Sequence, residues 1–407
     1  MKREVAVVGA GISGLACARR LLAAGWRVTL FDKAKRAPGG RVSTKRLGEG
    51  SRFHFDHGAQ YFTCKDPIFV EATRQAMEAG FVQEWHGRFA AIEEQEEKEE
   101  EYTNTYHVLS KHTDTQPSRY VGVPGMSSFT RWLSEPLRER IRLDRLVASV
   151  TWLPHSSSST EKKGEEEATA EERKKGGVWR LVDDKGNELG CFEGVVISTP
   201  SPQALPLLED APIEMKEVVS QVRMVGTWAV MLGFSSSISS LSSNIYDGYF
   251  VNVKASPLGW ISRNSSKPQR KKEQGGEEAE ETWVLHASPE WSEVHMEDSP
   301  ESVSQVLHHA FIELMRGAGI LEQTQREPEP SVKSAHRWRY ARADPALDGQ
   351  EGFLFDGRRG LLGCCGDWVN GNRVEGAYMS GHKLAERFLR EVACGAKGGH
   401  PLQKAVL

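Results

Sequence analysis

Apolar residues follow two rhythms along this chain. Glu4 to Val8 (EVAVV) and Val28 to Phe31 (VTLF) are short, nearly unbroken apolar runs. Between them apolar positions recur at Leu15, Ala18, Leu21 and Leu22, on one face of a helix. Strand, helix and strand in this order predict a βαβ unit. Gly194 to Thr199 (GVVIST) and Leu361 to Cys365 read as two more buried strands. "TWAVMLGF" and "TWVLHAS" between them alternate, are rich in Trp and Val, and predict antiparallel strands. "SPESVSQVLHHAFIELMRGAG" has helical spacing, a Ser-x-x-Ser start and a Gly stop. A nucleotide-type βαβ unit is thus followed by mixed β-structure and a return to a final strand and helix, without internal repeats.

Four polar stretches interrupt these rhythms, at 93–104, 155–177, 235–243 and 265–281. Their composition cannot bury a core, so they read as disordered loop inserts, which a fold tolerates at little closure entropy. With 407 residues the chain is long enough for two domains. A net charge of -4 gives no reason to expect nucleic-acid or membrane partners. No apolar run approaches the ~20 residues of a membrane span. The immediate entry into a strand leaves no room for a targeting peptide, and a cytoplasmic location is expected. The six cysteines form neither a C-x-x-C pair nor a His-flanked pattern. They read as reduced, mostly buried thiols, and no metal site is indicated.

Gly9-x-Gly11-x-x-Gly14 joins the first strand to the first helix, with Ile12 and Ser13 in its variable positions. Gly9 permits the tight turn, Gly11 lets a pyrophosphate approach the backbone, and Gly14 lets helix and strand pack closely. The helix N-terminus offers N–H groups to phosphate. Asp32, followed by Lys33, ends the second strand where an acid is expected to bind a ribose hydroxyl. Gly39-Gly40-Arg41 comes next, and its arginine can bring a fixed positive charge to phosphate. This Gly-Gly-Arg resembles the FAD motif of flavoprotein oxidases in the glutathione-reductase structural group, especially the amine-oxidase-like branch. "GDWVNGNRVEGAYMSG", from Gly366, is similar to that group's C-terminal motif. The resemblance implies that Asp367 bonds the ribityl or phosphate region of a non-covalent FAD, and that Glu375, Gly376 and Ala377 turn backbone N–H groups toward the flavin. It also implies a backbone contact from Val147 and a cofactor-side edge at Thr199.

"FDHGAQYFT" (Phe55 to Thr63), "VGVPGMSSFTRWL" (from Val121), "PLGWISRNSSKP" (from Pro257) and "AHRWRYAR" (from Ala335) occur in this order. With both termini they resemble renalases, the bacterial type and its plant and algal relatives, over nearly all the chain outside the polar stretches. Renalases are FAD-dependent oxidases of 2- and 6-dihydro-NAD(P), which pass hydride to flavin N5 and electrons to O2, giving H2O2. That chemistry needs no protein base, only a flat slot at near-attack distance. Tyr61 and Trp338 are the first candidates for the slot, with Gln60 beside Tyr61 on the cofactor side. His336, Asn264, Trp228 and His286 follow. Each of these could instead be core.

The resemblance implies an α/β, two-domain fold: a glutathione-reductase-type FAD domain (1–75, 121–210 and 334–395) and a mixed, mainly antiparallel substrate domain (76–120 and 211–333). The implied partners are a dihydronicotinamide dinucleotide and O2, for a monomer or weak dimer. One alternative is an amine oxidase of the same architecture, which commonly places a Lys near flavin N5; the only Lys just upstream of "HRWRY" is Lys333. Another is a non-catalytic flavin- or nucleotide-binding sensor.

Overall fold

The structure is a computed structural model describing residues 3–98, 103–111, 117–155, 176–236, 238, 245–270, 280–322, 327–347 and 351–395. The chain forms two compact units. The first comprises 1–40, 133–223 and 343–407, and the second comprises 41–132 and 224–342. These boundaries correct the sequence reading. Residues 41–75, 121–132 and 334–342, expected with the cofactor domain, belong to the second unit, and 211–223 belong to the first. Chain connectivity hid this, because 41–75 follow the βαβ unit without a linker.

The first unit is built on a six-stranded sheet in which Glu4–Val8 lies between Arg27–Phe31 and Gly194–Ile197, parallel to both. Leu361–Cys364 extends the parallel set beyond Gly194–Ile197, and Leu354–Asp356 closes that edge antiparallel. Parallel strands buried on both faces demand unbroken apolar runs, and Val5, Ala6 and Val7 are fully buried. The first helix (Ile12–Ala23) packs against the last (Val374–Gly395) at a close crossing, where a Cβ on Gly381 would overlap the Ser13 carbonyl oxygen. A three-stranded antiparallel sheet of Val147–Pro154, Gly177–Asp183 and Glu188–Phe192 completes the unit.

The second unit carries a seven-stranded sheet. Met224–Phe234 and Glu281–Ala287 pair antiparallel there, as their alternation predicts. Pro300–Gly317 is the expected helix, and the Ser299 hydroxyl caps it by accepting from Ser302 N at 3.1 Å. Leu307, Phe311 and Met315 of this helix are buried with Trp283 and Leu285 of the sheet.

The polar stretches are only partly loops. Phe89–Lys98 pairs antiparallel with Thr103–Lys111, so that 93–98 and 103–104, read as insert, are strand. Its apolar start, Phe89–Ile92, also pairs with the strand Gly248–Asn252, and the backbone ladder continues through the glutamates because ladder hydrogen bonds do not depend on side-chain polarity. Ile238 is buried in the core. Asn264–Ser266 forms a 3-10 turn, and Ser265 and Lys267 are buried. The remaining insert positions, 99–102, 156–175, 237, 239–243 and 271–279, lie outside the described residues.

Candidate functional site

In the first unit the chain passes from Glu4–Val8 to a strand on one side and later to Gly194–Ile197 on the other. The carboxyl ends of Val8 and Ile197 therefore flank a topological switch point, the usual place for a ligand in an open α/β sheet. Gly9 leaves the strand there at φ +100°, a left-handed value that favours glycine. Ser198 crosses over to it, donating its backbone N–H to Val8 O at 2.8 Å and holding its hydroxyl 2.7 Å from Gly9 O. A Cβ on Gly14 would overlap Gly9 O, so this glycine serves helix–strand packing.

Gly11 differs. Its φ of -77° suits any residue, and no atom lies within 4 Å of where its Cβ would stand. This open cradle begins the first helix, whose first-turn N–H groups face outward. Gly40, at φ +56°, holds Gly11 Cα 3.6 Å from its own Cβ position. The arrangement fits the pyrophosphate of a dinucleotide. Ile12 and Ser13 are buried, and Lys33 is exposed.

Asp32 performs a task that motif reading missed. Its carboxylate accepts Ala10 N at 2.6 Å and Ala34 N at 2.7 Å, so it braces both the glycine turn and the loop after the second strand. Thr199 lends its carbonyl to Trp368 Nε1 at 3.1 Å, while its own buried hydroxyl has no partner among the described residues. Val147 is buried at the start of its strand, and Asp367 is buried with a carbonyl that accepts from Asn370 N and Asn372 N. At the last helix the expectation changes. Ala377 N–H is already bonded to Arg373 O at 2.9 Å, and Gly376 is glycine because a Cβ would overlap Asn370 O. Glu375 lies in the first turn of this helix.

The second unit holds Tyr61, Gln60, His57, His286, His336 and Trp338, but in separate surroundings. His336 and Trp338 are alternate residues of the strand Val332–Ala343 and so share a face. The His57 ring stacks on Trp338 with centroids 5.1 Å apart and meets His336 edge-on at 4.8 Å. Trp338 Nε1 donates to His57 O at 2.9 Å. Burial, with His336, Lys45 and His286 nearby, lowers the His57 pKa to about 3. Burial likewise lowers His286 and His336 to about 4. All three rings are neutral at physiological pH.

Beside them lies an ionic network whose two cations, Lys267 and Arg270, fall in a stretch that reads as an insert. Asp56 is fully buried. One oxygen accepts Thr44 Oγ1 at 2.8 Å and Met126 N at 2.9 Å, at the entrance to the helix Ser127–Ser134. The other accepts Arg270 Nη2 at 2.6 Å and Lys267 Nζ at 3.3 Å. Burial alone would raise the Asp56 pKa, but Arg270 and Lys267 hold it well below the usual carboxylate range. Burial lowers Lys267 to about 8 despite the Asp56 charge. Lys267 Nζ also donates to Gln60 Oε1 at 3.2 Å and Asn264 Oδ1 at 3.1 Å. Gln60 therefore points inward, away from the cofactor role expected of it. Asn264 is fully buried, with its amide bonded to His54 O, so it positions this network rather than touching a ligand. Trp228 is also core, and its indole donates to His295 O. Arg41 donates to Ala341 O at 2.8 Å within the second unit.

Tyr61 sits apart, partly exposed, among Trp85, Phe89 and Trp260 at centroid distances of 6.4, 6.4 and 5.8 Å. Cations already cover these rings. Arg119 lies 5.3 Å over Tyr61 and 3.9 Å over Phe89, and Lys267 lies 5.4 Å over Trp85. Among the described residues no cluster of three or more His, Cys, Asp or Glu could hold a metal ion, and no helix is long and apolar enough to cross a membrane. Cys17, Cys364 and Cys365 are buried, while Cys191 and Cys394 are exposed.

Comparison with known proteins agrees with this architecture. A family profile, the NAD(P)-binding Rossmann-like domain, matches residues 7–71. Protein FLOWERING LOCUS D of Arabidopsis thaliana is 54% identical over 46 residues, 11% of this chain and 6% of that protein. Lysine-specific histone demethylase 1 homolog 2 of Arabidopsis thaliana is 51% identical over 50 residues, 12% of this chain and 7% of that protein. The chain thus covers only a small part of these curated relatives. Solved structures match over nearly the whole length. A protein assigned by name as a protoporphyrinogen oxidase, from Exiguobacterium sp. 255-15, superposes at TM-score 0.66 with 14% identity, covering 96% of this chain and 99% of that one. Putrescine oxidase with bound putrescine gives 0.64 and 13%, with 96% and 99% covered. Cyclohexylamine oxidase from Brevibacterium oxydans gives 0.62 and 11%, with 97% and 100% covered. The fold is that of the two-domain, amine-oxidase-like flavoproteins.

Proposed function

We propose that this chain is an FAD-dependent oxidase of dihydronicotinamide dinucleotides, converting the 2- or 6-dihydro isomers of NAD(P) to NAD(P)+. Bound FAD would supply a hydride acceptor at N5 and pass the electrons to O2, giving H2O2. The first unit would hold it through the Gly9–Gly14 turn, the first-helix N-terminus and the loop braced by Asp32, with Thr199, Asp367 and the start of the last helix as further contacts. In this reading the protein works in the cytoplasm as a monomer or weak dimer.

The observation that carries the substrate class is the charge around the rings of the second unit. The faces of Tyr61, Phe89 and Trp85 already carry Arg119 and Lys267, so an ammonium substrate would meet like charge where it needs an open ring. A dihydronicotinamide is neutral at its reactive ring and anionic at its phosphates. Its ring nitrogen drives hydride departure, so it needs orientation more than a base. Trp338, backed by the stacked, neutral His57 ring, offers a flat, uncharged surface for that purpose.

An amine oxidase is the alternative, favoured by the buried Lys267 and by the amine substrates in the names of two solved relatives. Anaerobic stopped-flow absorbance at the oxidised-flavin band separates the readings. Rapid bleaching by 6-dihydro-NAD, with little by NADH or putrescine, is the expected result. Bleaching by amines alone would establish the alternative, and bleaching by no donor would point to a non-catalytic sensor.

A further inference from the structure

Several arginines lie over aromatic rings in the second unit, and nearly all are tied down. Arg52 pairs with Glu280, Arg337 with Glu297, and Arg88 donates to Ile245 O. Arg119 is the exception. It is half-buried over Phe89 and Tyr61, yet among the described residues its guanidinium has neither an ion pair nor a hydrogen bond. Its backbone is fixed, because Arg119 O accepts Trp85 N at 2.7 Å and the next residue, Tyr120, pairs with Glu84. Holding it in place therefore costs little further entropy on binding.

The surrounding ring group has donors in excess. The indole nitrogens of Trp85 and Trp260 are buried without an acceptor among the described residues. The nearby carboxylates are taken: Asp56 by Arg270 and Lys267, and Asp247 by Arg263. A planar fork with five donors, held flat on two rings, suits bidentate contact with an oxyanion.

We infer that Arg119, over the Tyr61–Phe89 rings, is the anion-recognition residue of the second unit and reads a phosphate or pyrophosphate oxyanion of the substrate. The inference rests on the dihydronicotinamide reading and narrows it to nucleotide forms, setting phosphate-free dihydronicotinamide riboside apart from 6-dihydro-NAD. Arg119 acts here in specificity, and the reacting ring is handled elsewhere in the unit.

The test compares the FAD-loaded wild type with Arg119→Ala and Arg119→Lys. In anaerobic bleaching, Arg119→Ala should raise the half-saturating concentration of 6-dihydro-NAD by about ten- to a hundredfold, the worth of a charged hydrogen bond. The riboside should be unmoved, and Arg119→Lys should recover part of the loss. Quenching of intrinsic tryptophan fluorescence by ADP-ribose gives a second readout that needs no turnover, and it should weaken in parallel. Equal ADP-ribose affinity in wild type and Arg119→Ala would overturn the inference, as would an equal loss for riboside and dinucleotide. If no dihydronicotinamide bleaches the flavin while ADP-ribose binding still depends on Arg119, the oxidase reading fails and the anion site stands.

Discussion

Replacing Asp56 by Asn tests the buried network most sharply. The exchange keeps an acceptor for Thr44 Oγ1 and Met126 N, which lie 2.8 and 2.9 Å from one oxygen. It puts an NH2 group where the other oxygen meets Arg270 at 2.6 Å and Lys267 at 3.3 Å. Both the charge and the acceptor facing the two cations are lost, and from a site where Asp56, Lys267 and Arg270 are all essentially inaccessible to solvent. Lys267, already lowered to about 8, can shed its proton, whereas Arg270 cannot. Removing one partner of a buried pair costs about 3–5 kcal/mol, a large share of a typical stability of about 5–15 kcal/mol. Lys267→Met should cost less, about 1–2 kcal/mol, because Asp56 and Arg270 remain a balanced pair and only the bonds to Gln60 and Asn264 disappear. Urea unfolding at pH 7.5 with excess FAD, followed by tryptophan fluorescence, gives the ranking. The double variant Asp56→Asn/Arg270→Met should recover much of the loss, as removing both partners does. A loss below about 1 kcal/mol for Asp56→Asn, or a larger loss for Lys267→Met, would refute the assignment of Asp56 as the charge that organises this network.

Three further outcomes are expected. Gly11→Ala should fold with wild-type thermal stability but retain less FAD, because its Cβ enters open space at the cofactor cradle, whereas Gly14→Ala should lose folded protein by collision with Gly9 O; flavin-to-protein absorbance ratio and melting temperature separate the two. Stability should fall as pH drops from about 6.5, since the unfolded chain then takes up a proton that folded His57 refuses until about pH 3. The slope should approach about 1.4 kcal/mol per pH unit for that residue, and Asp56, whose folded pKa is depressed, acts in the same direction below its unfolded pKa. His57→Gln should flatten the slope in denaturation series run from pH 7 to 4. Trp338→Phe should slow bleaching by 6-dihydro-NAD more than it lowers stability, because the indole bond to His57 O is lost while His286 Nε2 remains 3.3 Å from that carbonyl.

What the sequence by itself determined is local. The βαβ unit, the glycine fingerprint and the capped helix at Pro300 are legible because 3.6- and 2-residue periods, turn residues and caps act between near neighbours. The roles of Gly9 and Gly14 are legible for the same reason. Tertiary structure alone decided where long-range partners meet. Composition assigned Lys267 and Arg270 to a polar insert, although the "NSSKP" segment containing Lys267 also formed part of a recognised motif. Their charges are stable in the interior only because Asp56, more than two hundred residues earlier, is folded against them. The same holds for Gln60 and Asn264, whose amides look free in sequence and are consumed in three dimensions by that carboxylate's backbone and its lysine. A buried charge declares its partner only when the fold has closed around both.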